Sequence, residues 1–235
     1  MLRVAEEFHG THTGQQRRAN EDAVYARAPL FAVADGMGGA QAGELASRLA
    51  IETLAGGLDE AGRDLPMEQR LADLVQVANA RIHERAQADD SAAGMGTTMT
   101  VVLVGAHDVT IAHVGDSRAY LRRDGELVRL TRDHSLVEEL VEQGRLTPEE
   151  ASRHPQRSVI TRSVGPESRV EVDTLTTSAR DGDVFLLCSD GLTTMVDEAE
   201  IARILDASGS LEAAGRALID AANAAGGRDN ISVVL

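Results

Sequence analysis

Four aspartates stand beside short apolar segments, at positions where a buried charge would need a partner. They are Asp35 directly after residues 30–34, Asp116 shortly after residues 110–114, Asp190 shortly after residues 184–188, and Asp229 just before residues 231–235. Apolar runs of this length are typical of buried strands, and an uncompensated carboxylate at the end of such a strand is unfavourable. One such acid could be an ordinary turn residue. Four of them indicate strand ends that converge on a carboxylate cluster, and such a cluster binds cations.

The first of these acids is followed by a glycine-rich segment. Its glycines are Gly36, Gly38, Gly39 and Gly43, and residues 44–54 then have the pattern of a helix. Glycine lets the backbone turn sharply and approach an ion or a ligand closely. A dinucleotide fingerprint fails because Gln41 replaces its third small residue, and a P-loop fails because Glu44 and Leu45 replace its lysine and hydroxyl residue. The segment is therefore interpreted as strand, acid, glycine turn and helix, with the acid favouring a cation over an anion.

The composition is that of an ordinary soluble domain. The chain has 235 residues, of which 43% are hydrophobic and 26% charged. Its formal net charge of -15 argues against nucleic acid or an anionic membrane as the main partner. No apolar run approaches the roughly 18 residues that a membrane span needs. The start of the chain, MLRVAEEFHG, is too acidic for a signal peptide.

Cys188 is the single cysteine, so the chain cannot form an internal disulfide, and a cytoplasmic setting is the simplest expectation. Its position in the apolar run FLLC is typical of a core residue. A cysteine-dependent phosphatase would need an arginine six positions later, where this chain has Thr194. We therefore interpret Cys188 as part of the core and not as a nucleophile.

The hydrophobic periodicity predicts many short elements. Strands are expected over residues 6–13, 23–27, 30–34, 97–104, 109–114, 118–123, 126–130, 170–176, 184–188 and 231–235, and helices over residues 43–55, 133–143, 147–152, 198–206 and 210–223, with another opening at Pro66. Hairpin turns such as Asp124-Gly125 favour antiparallel sheets over a strict βαβ alternation. Residues 144–168 are irregular and carry several arginines, so we predict a functional surface insertion there.

A series of motifs runs in order through nearly the whole chain. They are RRANED at 17–22, VADGMGG at 33–39, GTT at 96–98, VGDSRAY at 114–120, LTRDHS at 130–135, LCSDGL at 187–192 and RDNI at 228–231. In type and order they resemble the metal-dependent protein phosphatases of type 2C, in their compact bacterial form. The resemblance implies an α+β fold, a four-layer α-β-β-α sandwich of two antiparallel sheets flanked by helices. It also implies that residues 1–235 form a single catalytic domain, with a site for two metal ions in the cleft between the sheets.

The same resemblance assigns the metal ligands. Asp35 would bridge the two metal ions, and the carbonyl oxygen of Gly36 would bind the second of them. Asp190 and Asp229 would complete the first site. These ligands are hard oxygens, and no histidine or cysteine pair has zinc spacing, which favours Mn²⁺ or Mg²⁺ over Zn²⁺.

Four further features follow from the resemblance. Asp22, with Glu21 beside it, would support the second metal ion through water. Asp116 matches the position that helps to bind a weaker third ion in bacterial relatives. Arg17 matches the arginine that binds the substrate phosphate, and the insertion at about 144–168 matches a variable flap beside the cleft. Two ions can activate a bridging water for attack on a phosphoester, so no covalent nucleophile is needed.

The group that protonates the leaving alcohol is unassigned. Bacterial relatives often carry a histidine where this chain has Ala40, and animal relatives carry one where it has Met37. His134 lies in a matching motif, but Asp133-His134-Ser135 could equally be a helix cap with a structural hydrogen bond. Metal-bound water is the remaining candidate.

The favoured function is hydrolysis of phosphoserine and phosphothreonine in proteins. The partners could be a serine/threonine kinase and its substrates, or a phosphorylated anti-sigma-factor antagonist, and we expect a monomer that binds no nucleic acid. An alternative is a catalytically silent relative that binds phosphoproteins, which would be expected to lack a core acid, although Asp35, Asp190 and Asp229 are all present. A metal-stabilised structural domain would explain neither Arg17 nor the flap.

Overall fold

The computed structural model describes residues 1–38, 41–57 and 64–235. In this part of the chain the strands are β1 His9–His12, β2 Asp22–Arg27, β3 Leu30–Met37, β4 Gly96–Thr97, β5 Met99–Val104, β6 Asp108–Val114, β7 Arg118–Arg123, β8 Glu126–Arg129, β9 Asp173–Ser178, β10 Val184–Cys188 and β11 Ile231–Val234. The helices are α1 Ala42–Gly57, α2 Met67–Ala88, α3 Leu136–Glu142, α4 Pro148–Ser152, α5 Asp190–Thr193, α6 Glu198–Ala207 and α7 Leu211–Ala224, with a 3₁₀ turn at Asp90–Ala92.

The strands form two sheets in which every pairing is antiparallel. The first sheet has the order β1-β11-β10-β7-β8, and the second has the order β2-β3-β5-β6-β9, with β4 paired to β3. The hairpins predicted from the sequence connect β2 to β3, β5 to β6 and β7 to β8. The positive φ angles of Asp124 and Gly125 provide the tight turn of the last of these.

Three apolar cores define four layers. The core between the two sheets contains Phe31, Val33, Ile111, Leu187 and Val234 together with their neighbours. A second core packs α1 and α2 on the outside of the β2-β3-β5-β6-β9 sheet, and a third packs α6 and α7 on the outside of the other sheet. The predicted α-β-β-α sandwich is therefore confirmed, and both sheets line the space between them.

Small side chains bring α1 close to the sheet. Ala46 and Ala50 are fully buried, and so is Ala34 of β3 in the same core. The chain has only five aromatic residues, three Phe and two Tyr, and this core is filled mainly by Ala, Val, Leu, Ile and Met. The close packing fixes the start of α1 next to the end of β3, where the predicted site begins.

Several element boundaries differ from the sequence prediction. β3 continues through Asp35 and Gly36 to Met37, because β4 pairs with its last two residues. The strand predicted over residues 97–104 is divided at Thr98, and the strand predicted over 170–176 lies instead at Asp173–Ser178. Helix α5 at Asp190–Thr193 was not predicted, while Ser135 caps α3 by accepting from the amide of Glu138. None of the helices in the described residues is sufficiently long and apolar to cross a bilayer.

Candidate active site

The β2-β3 hairpin places two acids side by side. Its register pairs Asp22 directly with Asp35. Like charges opposite each other in a hairpin repel, so this pairing is unfavourable unless a cation or a proton compensates it. Both backbone groups of Asp35 are held by Thr98, whose hydroxyl accepts from the Asp35 amide at 2.9 Å and whose amide donates to the Asp35 carbonyl at 2.8 Å. The bridging acid predicted from the sequence therefore stands on a rigid backbone.

Gly36 lies where three segments approach one another. Its amide donates to the carbonyl of Glu21 at 3.1 Å. A Cβ atom at Gly36 would collide with the carbonyl oxygen of Gly43 at the start of α1, and one at Gly43 would collide with the Glu21 carboxylate. Only glycine fits at these two positions, because the backbones of β3 and α1 touch here. Gly36 and Gly43 thus allow two backbone segments to approach each other closely. Gly38 instead has a positive φ, of +122°, which a turn requires.

The other sheet contributes Asp190 and Asp229. Asp190 begins α5 directly after β10, and Asp229 precedes β11. Asn230 locks this edge to the loop before β2: its side chain donates to the carbonyls of Thr13 and Ala19 at 2.9 Å each and accepts from the amide of Glu21 at 2.8 Å. The strand ends of both sheets therefore meet at one end of the cleft.

The turn between β6 and β7 carries Asp116, which is 8% exposed. Gly115 before it has a φ of +111°, and Ser117 after it bonds the hydroxyl of Thr98 at 2.8 Å. The hydroxyl of Thr98 thus contacts both the backbone of Asp35 and the turn of Asp116. This single residue connects the β2-β3 hairpin, which carries Asp35, with the connection between the two sheets that carries Asp116.

The pKa shifts show that these acids form one cluster. Burial, followed by the charges of Asp22 and Asp190, raises the pKa of Asp35 well above its usual value. Burial and then the charge of Asp116 do the same for the pKa of Asp190. The pKa of Asp22 is raised to about 6, mainly by burial. Burial, with the charge of Asp133 next in importance, raises the pKa of Asp116 to about 7. Carboxylates arranged so that they oppose one another's ionisation are what a multivalent cation would stabilise.

Three of these carboxylates have an oxygen atom without a protein partner. They are Oδ1 of Asp22, Oδ1 of Asp116 and Oδ1 of Asp190, all of which are inaccessible to solvent. Buried acceptors are almost always satisfied, so three in one place fit an electropositive ligand. The donor set is made of hard oxygens and fits Mn²⁺ or Mg²⁺.

The carboxylates are not arranged as a finished coordination sphere. Among residues 1–38, 41–57 and 64–235, no three Asp, Glu, His or Cys side chains are grouped tightly enough to bind one ion. Two of the acids are turned to protein donors instead. Asp22 accepts from the hydroxyl of Ser189 at 2.8 Å, and Asp229 accepts from Arg17 at 2.6 Å. The backbone thus brings the acids together, while the side chains of Asp22 and Asp229 are hydrogen-bonded to protein donors.

Arg17 lies at the mouth of the cleft. Its hydrogen bond to Asp229 is the largest cause of its raised pKa, and the charges of Glu21 and Asp35 also contribute. The adjacent Arg18 is exposed, and no hydrogen bond or ion pair joins it to the described residues. From the sequence, Arg17 was expected to bind the substrate phosphate, and in this structure its guanidinium is paired with Asp229.

Of the three positions considered for the proton donor, only that of His134 carries a titratable side chain. Met37 ends β3 near the cluster but has no titratable group, and Ala40 lies outside the described residues. His134 is 5% exposed and has both ring nitrogens within hydrogen-bond distance of protein groups, namely the amide of Gly115 at 3.0 Å and the carboxylate of Asp173 at 3.1 Å. The structural reading of His134 is therefore favoured over the general-acid reading.

The segment 144–168 forms one wall of a cavity of about 450 Å³ beside the cluster. The cavity is bounded by Asp116 and Asp190 on one side and by α3, α4, Arg157 and Ser158 on the other. The end of the segment is joined to the body, because Val164 and Thr97 exchange backbone hydrogen bonds at 2.9 Å. A larger cavity of about 720 Å³ lies elsewhere, under residues 1–6, and none of the clustered acids lines it.

Residues 9–225 match the model of the protein phosphatase 2C family. The chain belongs to that family. The serine/threonine protein phosphatase PstP of Mycobacterium tuberculosis is 45% identical over 223 residues, which cover 94% of this chain and 43% of that protein. The chain therefore spans less than half the length of this curated relative.

Two solved structures resemble the fold of this phosphatase 2C chain closely. A crystal structure of the M. tuberculosis serine/threonine phosphatase PstP/Ppp has a TM-score of 0.92 at 41% identity and covers 97% of this chain and 96% of that one. The catalytic domain of PstP in complex with two manganese ions has a TM-score of 0.89 at 39% identity, with the same coverage. The predicted family and fold are confirmed, and nothing in these likenesses favours the catalytically silent alternative.

The residues that assemble the site of this phosphatase 2C chain were not predicted from the sequence. Thr98, Ser189 and Asn230 all lie inside the recognised motifs, yet none was given a role. Each is buried, at 0%, 1% and 5% exposure respectively, and each bonds a segment distant in sequence. A polar residue directly beside a predicted site acid, at the end of an apolar run, is the local signal that could have identified them.

Proposed function

We propose that this chain is a metal-dependent protein serine/threonine phosphatase, which hydrolyses phosphoserine and phosphothreonine. The observation that carries the proposal is the buried cluster of acids from both sheets, in which three carboxylate oxygens have no protein partner. Membership of the protein phosphatase 2C family and the likeness to a manganese-bound catalytic domain support it.

Asp35, Asp190 and Asp229 would hold the first of two Mn²⁺ or Mg²⁺ ions, and Asp35 with the carbonyl of Gly36 would hold the second. Asp22 and Glu21 would support the second ion, and Asp116 a weaker third. Bound ions supply an activated water and stabilise the charge that develops on the transferring phosphoryl group. Asp22 and Asp229 accept hydrogen bonds from Ser189 and Arg17, and the backbone that carries both acids is already in position for ion binding.

Arg17 would bind the substrate phosphate. Its guanidinium is half exposed at the mouth of the cleft and is oriented toward the cluster by Asp229. A guanidinium presents several donors in one plane, so one N–H can stay on Asp229 while others bind phosphate oxygens. The acid would thereby preorganise the arginine for its anionic ligand.

The cavity beside the flap would receive the peptide that flanks the phosphorylated side chain. We therefore propose phosphorylated proteins as partners, with a serine/threonine kinase and its substrates among them. We also propose that residues 1–235 form one catalytic domain, that it is a monomer, and that the protein is cytoplasmic, as a lone buried free cysteine suggests.

The test is hydrolysis of phosphoserine, phosphothreonine and phosphotyrosine peptides with Mn²⁺ or Mg²⁺, with and without EDTA. We expect turnover of the first two peptides that EDTA abolishes. Asp35→Asn, Asp190→Asn and Asp229→Asn should each lower the rate by about a hundredfold or more, since even residues outside the ligand set cost up to that factor. Asp220→Asn, at an exposed position on α7, is the matched control and should be fully active. Activity that survives EDTA, or a fully active Asp35→Asn protein, would exclude the metal-dependent reaction.

A further inference from the structure

His134 has five contacts within hydrogen-bond distance, and two of them go to one residue. Its amide donates to the carbonyl of Gly115 at 2.7 Å, and its ring Nδ1 accepts from the amide of Gly115 at 3.0 Å. The carbonyl of His134 accepts from Thr161 at 2.9 Å, and its ring Nε2 lies 3.1 Å from Asp173. Both backbone polar groups of Gly115 are thus held by a single histidine.

The hydrogen bonds determine where the ring proton lies. A nitrogen that accepts from an amide N–H carries no proton, so the neutral ring has its proton on Nε2 and donates it to Asp173. Arg162 Nη1 donates to the Asp173 carboxylate at 2.7 Å and lies 2.9 Å from His134 Nε2, so both residues surround this ring nitrogen. Burial lowers the pKa of His134, which favours this neutral form. Neither ring nitrogen is left to exchange a proton with a substrate.

Gly115 directly precedes Asp116, and its conformation is demanding. Its φ of +111° is one that side chains other than hydrogen rarely adopt, and a Cβ there would press on Thr98. On the other side of Asp116, Ser117 is held by the hydroxyls of Thr98 and Thr100. Asp116 therefore lies between two residues that are held by hydrogen bonds, and His134 is the residue that holds Gly115.

We propose that His134 is a positioning residue for Asp116, which it fixes through both backbone groups of Gly115, and that it is not the proton donor to the leaving group. Because Asp116 acts on the reaction only if the proposed function is right, the kinetic part of this inference rests on that function. The structural part, the clamp on Gly115, stands without it.

The variants follow from the geometry of the ring. In His134→Asn the side-chain oxygen occupies the position of Nδ1 and can accept from Gly115, whereas His134→Leu keeps the bulk and removes the acceptor. Asp173→Ala removes the acid at Nε2 and leaves the Gly115 clamp intact. His107→Leu, at an exposed position in the β5-β6 hairpin, is the control.

The first measurement is amide hydrogen exchange at Gly115, which needs no activity. We expect exchange about tenfold faster or more in His134→Leu, since a hydrogen bond of ordinary strength is lost. Near wild-type protection is expected in His134→Asn and His107→Leu, and a smaller change in Asp173→Ala. Unchanged protection of Gly115 in a folded His134→Leu protein would overturn the clamp. If that variant does not fold, loss of protection in His134→Asn would overturn it equally.

The second measurement compares two leaving groups. An alkoxide from phosphothreonine needs a proton, whereas p-nitrophenolate is a weak base and does not, so loss of a proton donor harms the first substrate far more. A positioning role predicts equal losses of about tenfold on both, a higher Mn²⁺ requirement, an unchanged pH profile and recovery in His134→Asn. In the double variant, the rate losses caused by His134→Leu and Asp116→Asn should also be smaller than the sum of the two single effects on the activation free energy. A loss confined to the phosphopeptide, with one limb of the pH profile missing, would make His134 the proton donor.

Discussion

Arg17 Nη2 lies 2.6 Å from Asp229 Oδ2, so the predicted phosphate ligand and a predicted metal ligand are hydrogen-bonded to each other. The two residues are 212 positions apart in sequence and meet at the mouth of the cleft. The side chains are 52% and 30% exposed respectively, so the pair contributes little to the stability of the fold. The pair instead orients the guanidinium of Arg17, which it directs toward the cluster of acids.

The first prediction concerns Arg17. A contact made equally in substrate and transition state changes KM more than kcat. Arg17→Ala should therefore raise KM for a phosphopeptide by about tenfold or more, the factor that corresponds to about 1.4 kcal/mol. Arg17→Lys should recover only part of this, because an ammonium cannot reproduce the planar fork. Arg18→Ala is the matched control. A damaging Arg18→Ala with a silent Arg17→Ala would shift the assignments of Glu21 and Asp22 along with it.

The second prediction concerns Asp116, which lies in the connection between β6 and β7, whereas Asp22 and Asp35 are paired in the β2-β3 hairpin. It should contribute less to the two tight metal sites than Asp35 does. Asp116→Ala should retain two tightly bound ions in calorimetry and yet turn over poorly, whereas Asp35→Asn should lose tight binding altogether. Loss of a tight site in Asp116→Ala would contradict the assignment to a weaker third ion.

The third prediction concerns stability in EDTA. The folded-state pKa is about 6 for Asp22 and about 7 for Asp116, both above the ordinary value of 3.8. A carboxyl group with a raised pKa stabilises the fold fully at pH below its unfolded value and loses this contribution as the pH rises through the folded value. These two groups should therefore lower the free energy of unfolding in urea as the pH rises from about 4 to about 7, by up to about 1.4 kcal/mol per pH unit for each group. Excess Mn²⁺ should reverse the fall, and Asp116→Asn should flatten it. The same pH dependence in Asp116→Asn as in the unsubstituted protein would contradict the buried cluster.

The fourth prediction concerns His113 and has the opposite sign. This buried ring lies between the hydroxyl of Thr100 and the carbonyl of Arg132, and burial lowers its pKa to about 4 from 6.5. Below about pH 6.5 His113 binds a proton in the unfolded chain but not in the folded chain. The free energy of unfolding therefore falls as the pH decreases from about 6.5 toward 4. His113→Gln keeps a donor for Arg132 and should remove part of this acid sensitivity in urea titrations. An identical acid slope in the variant would exclude His113 as its cause.

The fifth prediction concerns the flap. Arg157 lines the cavity beside Asp116, whereas Arg153, on the same segment, is exposed and does not. Arg157→Ala should raise KM for phosphoproteins severalfold and leave p-nitrophenyl phosphate unaffected, because the small substrate does not reach the cavity wall. Arg153→Ala should change neither. Equal losses on both substrates in Arg157→Ala would mean that the segment serves the structure and not recognition.

The sequence by itself determined which strand ends carry acids and which strands pair through hairpin turns. Apolar runs followed by acids identified Asp35, Asp116 and Asp190, because burial and charge are local properties that a pattern records directly. Hairpin turns such as Asp124-Gly125 determined the antiparallel pairing, since a positive φ at these positions is a local requirement. The family motifs extended this to the fold and to the candidate site.

Only the tertiary structure decided which residues support these acids. The pairing of Asp22 with Asp35 depends on strand register, and the extension of β3 depends on β4, which lies about sixty residues further along. The contact of Arg17 with Asp229 and the clamp of His134 on Gly115 join segments that share no local pattern. Periodicity records which face of an element is buried, but the partner that meets that face is chosen by packing of the whole chain.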